Sequence, residues 1–144
     1  MTEGGRLLGL DLGNRRIGVA VSDSARTIAI GVAALERSGD QRRDHVAIAG
    51  LVAEYDAVGI VVGVPYSLSG AVGPAATAAL DEVESLKAAV GVDVVTVDER
   101  LTTVTAHGAL RRGGKSARAR KSIVDQTAAA VILQSWLDRA GAAR

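Results

Sequence analysis

The chain opens on strict alternation. In LLGLDLG (7–13), Leu8, Leu10 and Leu12 fall on one face of an extended segment, and Gly9, Asp11 and Gly13 fall on the other. Gly13-Asn14 supplies turn chemistry, and RIGVAVSD (16–23) returns as a second strand, so the two segments form a hairpin. RTIAIGVAAL (26–35), after an Asp23-Ser24 turn, predicts a third strand. The period then changes: Asp40 is placed to cap a helix running to about Tyr55, with Val46, Ala49 and Ala53 on its inner side. AVGIVVG (57–63) is a continuous apolar run, the mark of a strand buried on both faces of a sheet. Beyond the loop VPYSLSGAVG, Pro74 opens a second long helix that reaches Ala89. DVVTVDE (93–99) is another buried strand and ends in two acids. A short helix over 102–112 stops at Gly113-Gly114, a basic loop follows, and a last helix spans Ser122 to Ala140.

The order β-β-β-α-β-α-β-α predicts an α/β domain with a mixed five-stranded sheet and helices on both faces, and ligands at the carboxyl ends of its strands. With 144 residues and no repeat or linker, the whole chain, 1–144, is expected to form one domain. Three acidic stations converge on one end of such a sheet. Asp11 stands mid-strand among apolar neighbours, Asp98 and Glu99 close the last strand, and Asp125 opens the last helix. Asp125 shares a helical face with Ala128, Ala129 and Ile132, the face that should pack on the sheet. A carboxylate on a buried face needs a partner, or it costs several kcal/mol. For Asp125 the partner could be Arg100, Arg120 or Lys121, and Asp98-Glu99 could simply be a polar strand end. A hard divalent cation, Mg²⁺ or Mn²⁺, would answer all three stations at once, because carboxylates clustered without His or Cys are its ligand set. In a nuclease, two such ions about 3.5 to 4 Å apart activate water and stabilise the leaving oxygen of a phosphodiester. Gly9 and Gly13, beside Asp11, are expected to leave room for a phosphate backbone.

Composition narrows the chemistry. There is no cysteine, so thiol catalysis, disulfides and cysteine zinc sites are excluded. The N-terminus lacks a signal pattern and no apolar run approaches the roughly 20 residues of a membrane span, so a cytoplasmic location without membrane contact is expected. With no Phe, one Trp and two Tyr, stacking on bases cannot dominate binding. Tyr66 beside the loop is a candidate for stacking or packing, and Trp136 for the core. The net charge of +1 hides an uneven distribution: Arg100 to Val124 holds seven Lys or Arg and no acid. Such a stripe is the footprint of a polyanion partner, or else a solvated loop. His45 and His107 stand in no metal-ligand spacing and read as surface or capping residues.

The segments LGLDLGNRRIGVAVSD, VVGVPYSLSG, VDERLTT and RKSIVDQTAAAVILQSWLD, in this order and spacing, resemble the YqgF/RuvX family of Holliday-junction resolvases in the RNase H-like superfamily. The resemblance covers nearly the whole chain. It implies an RNase H-like fold, a bacterial cytosolic metal-dependent nuclease, and a role in maturing the 5′ end of pre-16S ribosomal RNA. It also implies that Asp11, Glu99 and Asp125 are the catalytic metal ligands, for Mg²⁺ or Mn²⁺, with Asp98, Arg100 and Thr102 behind them. Arg15 and Arg16 match the family's basic turn, and Lys115, Arg118, Arg120 and Lys121 its basic segment, all expected to contact the nucleic-acid backbone. Two departures stand out. Val64 and Ser67 occupy places where leucine and asparagine are more frequent, and the fourth strand ends without a carboxylate. Glu99, one strand further out, must therefore reach about 4.8 Å more to join Asp11.

Three other readings compete. A non-catalytic nucleic-acid-binding module would have lost the acids, which persist here. A sugar- or acetate-kinase-like phosphotransferase shares the D-x-G hairpin but needs two such domains around its nucleotide. A ribosome-assembly factor acting through ribosomal partners would not need Asp11. Junction resolution would further favour a two-fold homodimer.

Overall fold

The computed structural model describes residues 4–101 and 117–142, with side chains described over 4–100 and 126–141. Strands β1 (Leu7–Leu12), β2 (Arg16–Ser22) and β3 (Ala29–Glu36) precede helix α1 (Gln41–Glu54). Strand β4 (Gly59–Val64), helix α2 (Pro74–Ala89) and strand β5 (Asp93–Asp98) follow. A short 3₁₀ turn, Glu99–Leu101, continues β5, and helix α3 covers Ala117–Ala142. The five strands lie in the order β3-β2-β1-β4-β5. The hairpin pairs are antiparallel and β4 pairs in parallel with both β1 and β5, so the sheet is mixed, as the pattern requires. The short helix expected over 102–112 lies outside the described residues.

Alternation along β1 sorts the two cores. Leu8 and Leu10 join Ile17, Val19, Ile60 and Val62 beneath α1 and α2, where Ile48, Val83 and Leu86 complete one buried layer. Leu7, Ala20, Val61 and Val97 face the opposite way and pack on Ala129, Ile132, Leu133 and Leu137 of α3. Trp136 is partly buried against that second layer, in the packing role expected of it. The Asp40 side chain accepts from the Arg42 amide 3.0 Å away and starts α1, while Pro74 occupies the first turn of α2, where its missing N–H costs nothing.

Two expectations about the helices are corrected. Of the expected inner face of α1, Val46-Ala49-Ala53, only Ala49 packs on the core: Val46 is 69 % exposed, Ala53 is exposed, and the buried residues are Asp44, His45 and Ile48. Two polar side chains can lie inward because both are hydrogen-bonded there. The last helix begins at Ala117 rather than Ser122, since Ala-Arg-Ala-Arg-Lys are strong helix formers and propagate the helix backwards. Asp125 therefore sits inside α3, more than a turn from its start, and does not open it.

Candidate functional site

Asp11 is on the α3 side of β1, the face it shares with Gly9. Gly9 is not there to admit a phosphate. A Cβ on it would lie 2.6 Å from the Leu133 Cβ and 2.9 Å from the Ala129 carbonyl, so the missing side chain lets α3 lie flush on the sheet. Gly13 is likewise a packing requirement, because its Cβ would stand 2.5 Å from the Arg16 carbonyl within the turn. The space above Gly9 is therefore taken by α3, and the open space beside Asp11 lies instead toward the cleft described below.

Glu99 follows β5, and β4 lies between it and Asp11. The longer reach this demands is met by Gly63 on β4. The Glu99 carboxylate oxygen Oε2 lies 3.5 Å from where a Gly63 Cβ would stand, and the Ile132 Cδ1 lies 2.6 Å from the same point. Glu99 thus passes over a strand position that has no side chain, and its carboxyl group hydrogen-bonds that of Asp11. Burial pushes the Glu99 carboxyl above the usual glutamate range, and the hydrogen bond with Asp11 opposes that push.

The rest of the DER triplet points elsewhere. The Asp98 carboxylate accepts from the Arg100 amide at 3.0 Å and from the Arg100 Nε at 3.0 and 2.9 Å, and it also pairs with Nη2. This guanidinium holds the Asp98 carboxyl below the ordinary aspartate range. Through Nη1, Arg100 also donates to the carbonyls of Ser67 (3.2 Å) and Leu68 (3.3 Å). The loop between β4 and α2 is thereby tied to β5. Within it the Gly70 amide donates to Ser67 O at 2.8 Å, and the φ of +86° at Gly70 favours glycine. Leu68 stands 95 % exposed on this clamped loop, while Tyr66 is partly buried against Val64, Ala76 and Ala79.

Arg15 is exposed, and Arg16 bonds Glu36 on the neighbouring strand at 3.3 Å. Thr102 and Lys115 lie outside the described residues, as do the side chains of Arg118, Arg120, Lys121 and Asp125, although these four positions belong to α3. Among the described residues no three acidic or imidazole groups form a metal cluster. Asp11 and Glu99 are the two expected ligands whose side chains are described.

Beyond the acid pair extends a cleft of about 550 Å³. Its walls are the β1–β2 turn (Gly13, Asn14), Ala75, Ala78 and Ala79 of α2, and a charged group made of Arg37, Asp44 and Glu82. Sequence reasoning missed this group. The Arg37 guanidinium meets Glu82 through two bonds of 2.7 and 2.8 Å, and His45 Nε2 donates to the same carboxylate at 2.8 Å. Because an ionised Glu82 only accepts, His45 must carry its proton on Nε2. His45 is 2 % exposed, so it is a buried hydrogen-bonding residue and not a surface or capping one. Burial alone would raise the Glu82 carboxyl, but the bonds from Arg37 and His45 outweigh it and hold the group below the glutamate range.

The sequence profile of the RuvX family, described as Holliday junction resolvase, matches residues 5–139. This chain belongs to the RuvX family. Its relatives in the family include a protein of Mycobacterium sp. (strain KMS), 44 % identical over 140 residues, which cover 96 % of this chain and 83 % of the relative. Another, from Anaeromyxobacter dehalogenans (strain 2CP-C), is 45 % identical over 134 residues, covering 93 % of this chain and 97 % of the relative. Both bear the name "Putative pre-16S rRNA nuclease". Among solved structures, T. thermophilus RuvC in complex with a Holliday junction substrate aligns over 95 % of this chain and 96 % of its own, with TM-score 0.56 and 16 % identity. That likeness gives the RuvX chain its fold, the RNase H-like one. No helix among the described residues is long and apolar enough to cross a membrane.

Proposed function

We propose that this chain is a metal-dependent nuclease that cuts nucleic-acid phosphodiester bonds, and that it acts in maturing the 5′ end of pre-16S ribosomal RNA in the cytoplasm. The observation that carries this reading is the contact of the Asp11 and Glu99 carboxyls across Gly63. Two carboxyls in such contact share a proton, and both ionise only when a cation lies between them. Their all-oxygen donor set fits Mg²⁺ or Mn²⁺. Asp125 is the proposed third ligand. Helical periodicity puts position 125 one turn before Ala129, and Ala129 lies over Gly9, two residues before Asp11. When bound there, a divalent cation supplies an activated water and stabilises the leaving oxygen.

The chain's own residues do the rest. Asp11 and Glu99 would hold the cation and thereby fix where the scissile phosphate stops. Asp98 and Arg100 hold the neighbouring loop, with Thr102 beside them in sequence. Arg15 and Arg16 in the turn, and Lys115, Arg118, Arg120 and Lys121 beyond, are the proposed contacts to backbone phosphates, which set position without reading sequence. The relatives' shared name supports pre-rRNA over branched DNA as substrate.

The test is cleavage by the purified protein, with Asp11→Asn beside it, on a pre-16S 5′-leader RNA and a four-way DNA junction in Mg²⁺, Mn²⁺ and EDTA. Cutting of the leader that needs metal and disappears in Asp11→Asn is expected. Preference for the junction would move the substrate to recombination, and salt-sensitive binding without any cutting would replace the nuclease by a binding module.

A further inference from the structure

Arg37 follows β3 and sits where the β1–β2 turn, α1 and α2 meet. Its Nε donates to the Gly13 carbonyl at 3.0 Å, and its main-chain amide donates to the Arg15 carbonyl at 2.8 Å. One residue thus grips the turn at two carbonyls. The same turn begins at Asp11, whose own carbonyl accepts from the Gly13 amide at 3.1 Å. On its other side the guanidinium is fixed by the bidentate bond to Glu82 of α2. Glu82 is in turn held by His45 of α1, and Asp44 Oδ2 lies 3.8 Å from Arg37 Nη1 while its Oδ1 accepts from the Ser38 amide.

We propose that Arg37 is a positioning residue: anchored on Glu82 and His45, it sets the turn that orients the Asp11 carboxyl toward Glu99. The fork geometry explains why arginine stands there. A planar guanidinium can meet both oxygens of Glu82 and still present Nε to a carbonyl on its other edge, which a lysine ammonium cannot do from one place. The inference rests on the nuclease reading only for its effect on rate. Its effect on the turn is independent of catalysis.

The experiment compares the wild type, Arg37→Lys and the double variant Arg37→Met/Glu82→Gln. The double variant removes both members of the closest ion pair; Asp44 loses the guanidinium 3.8 Å away but keeps its bond from the Ser38 amide, and the amide replacing Glu82 still accepts from His45, so stability is largely kept while the grip on Gly13 is lost. Four readouts are taken: melting temperature, kcat, KM, and the amide NMR shifts and exchange rates of Gly13, Asn14 and Arg15 in metal-free protein. The expected result is a near-native melting temperature, displaced and faster-exchanging turn amides, and kcat lower by roughly ten- to a hundredfold. KM should stay within about twofold, since a displaced reacting group acts on the chemical step. Turn amides that do not move, or wild-type kcat in the double variant, overturn the proposal. Should the double variant fail to fold, Arg37→Lys is judged by the same amides and the same kcat. If the wild type does not cut, the nuclease reading falls, and the turn amides still decide the role of Arg37.

Discussion

A single absent side chain does much of the work at the site. Gly63 gives Glu99 its passage to Asp11, and a methyl group there would meet the Ile132 Cδ1 first. That atom is the end of a flexible side chain, whereas a methyl on Gly9 would meet the backbone carbonyl of Ala129. Gly9→Ala should therefore cost more stability than Gly63→Ala, about 2 to 3 kcal/mol against about 1, within the usual range of overpacking. Urea unfolding of the two variants checks the order. Ile132→Val, which removes the obstructing Cδ1, should restore part of what Gly63→Ala loses. Little of this is legible in sequence. Asp11 announced itself as a carboxylate out of place in an apolar strand, but Gly63 reads as one more small residue in AVGIVVG. Its meaning depends on a helix that follows it by more than fifty positions.

Individual elements are legible where the signal is local. Alternation gave the hairpin, Asp40 and Pro74 marked helix starts, and the apolar run marked β4. What failed were contacts between distant segments: Arg37, His45 and Glu82 each look like a surface residue until α1 and α2 are laid side by side. Their charge linkage has a pH signature. The Glu82 carboxyl is depressed in the folded protein, so its stabilisation is complete above the unfolded glutamate value of about 4.3 and is lost as pH falls through the lower folded value. Melting temperature recorded from neutral pH down through that window should fall in the wild type more steeply than in Glu82→Gln. The Arg100 clamp operates on a different element and in a different currency. Its ion pair with Asp98 lies at the surface and is partly exposed, so Arg100→Ala should change global stability by less than about 1 kcal/mol. Hydrogen exchange at residues 67–71 should nonetheless accelerate, because the Ser67 and Leu68 carbonyls lose their anchor.

At the scale of the whole molecule, charge is segregated. The net value is +1, yet residues 100–124 carry seven cations and no acid, which leaves the remainder acidic around its own proposed cation site. If the basic segment takes backbone phosphates, affinity must fall with salt, by about 0.7 in logarithmic slope for each contact on a single strand. Replacing Lys115, Arg118, Arg120 and Lys121 by alanine should flatten the slope by about three, as fluorescence titrations against a leader RNA at several salt concentrations would reveal. An unchanged slope would move the phosphate contacts elsewhere. The position of α3 has one more outcome, in the order of synthesis. All five strands of the sheet precede it in the chain, and among the described residues it is the helix that packs on Leu7, Val61 and Val97 on the second face. A nascent chain on the ribosome therefore leaves these apolar residues uncovered until the α3 segment has cleared the exit tunnel. On the proposed assignment of Asp125, the same step that covers this apolar face would also bring the third ligand to Asp11 and Glu99.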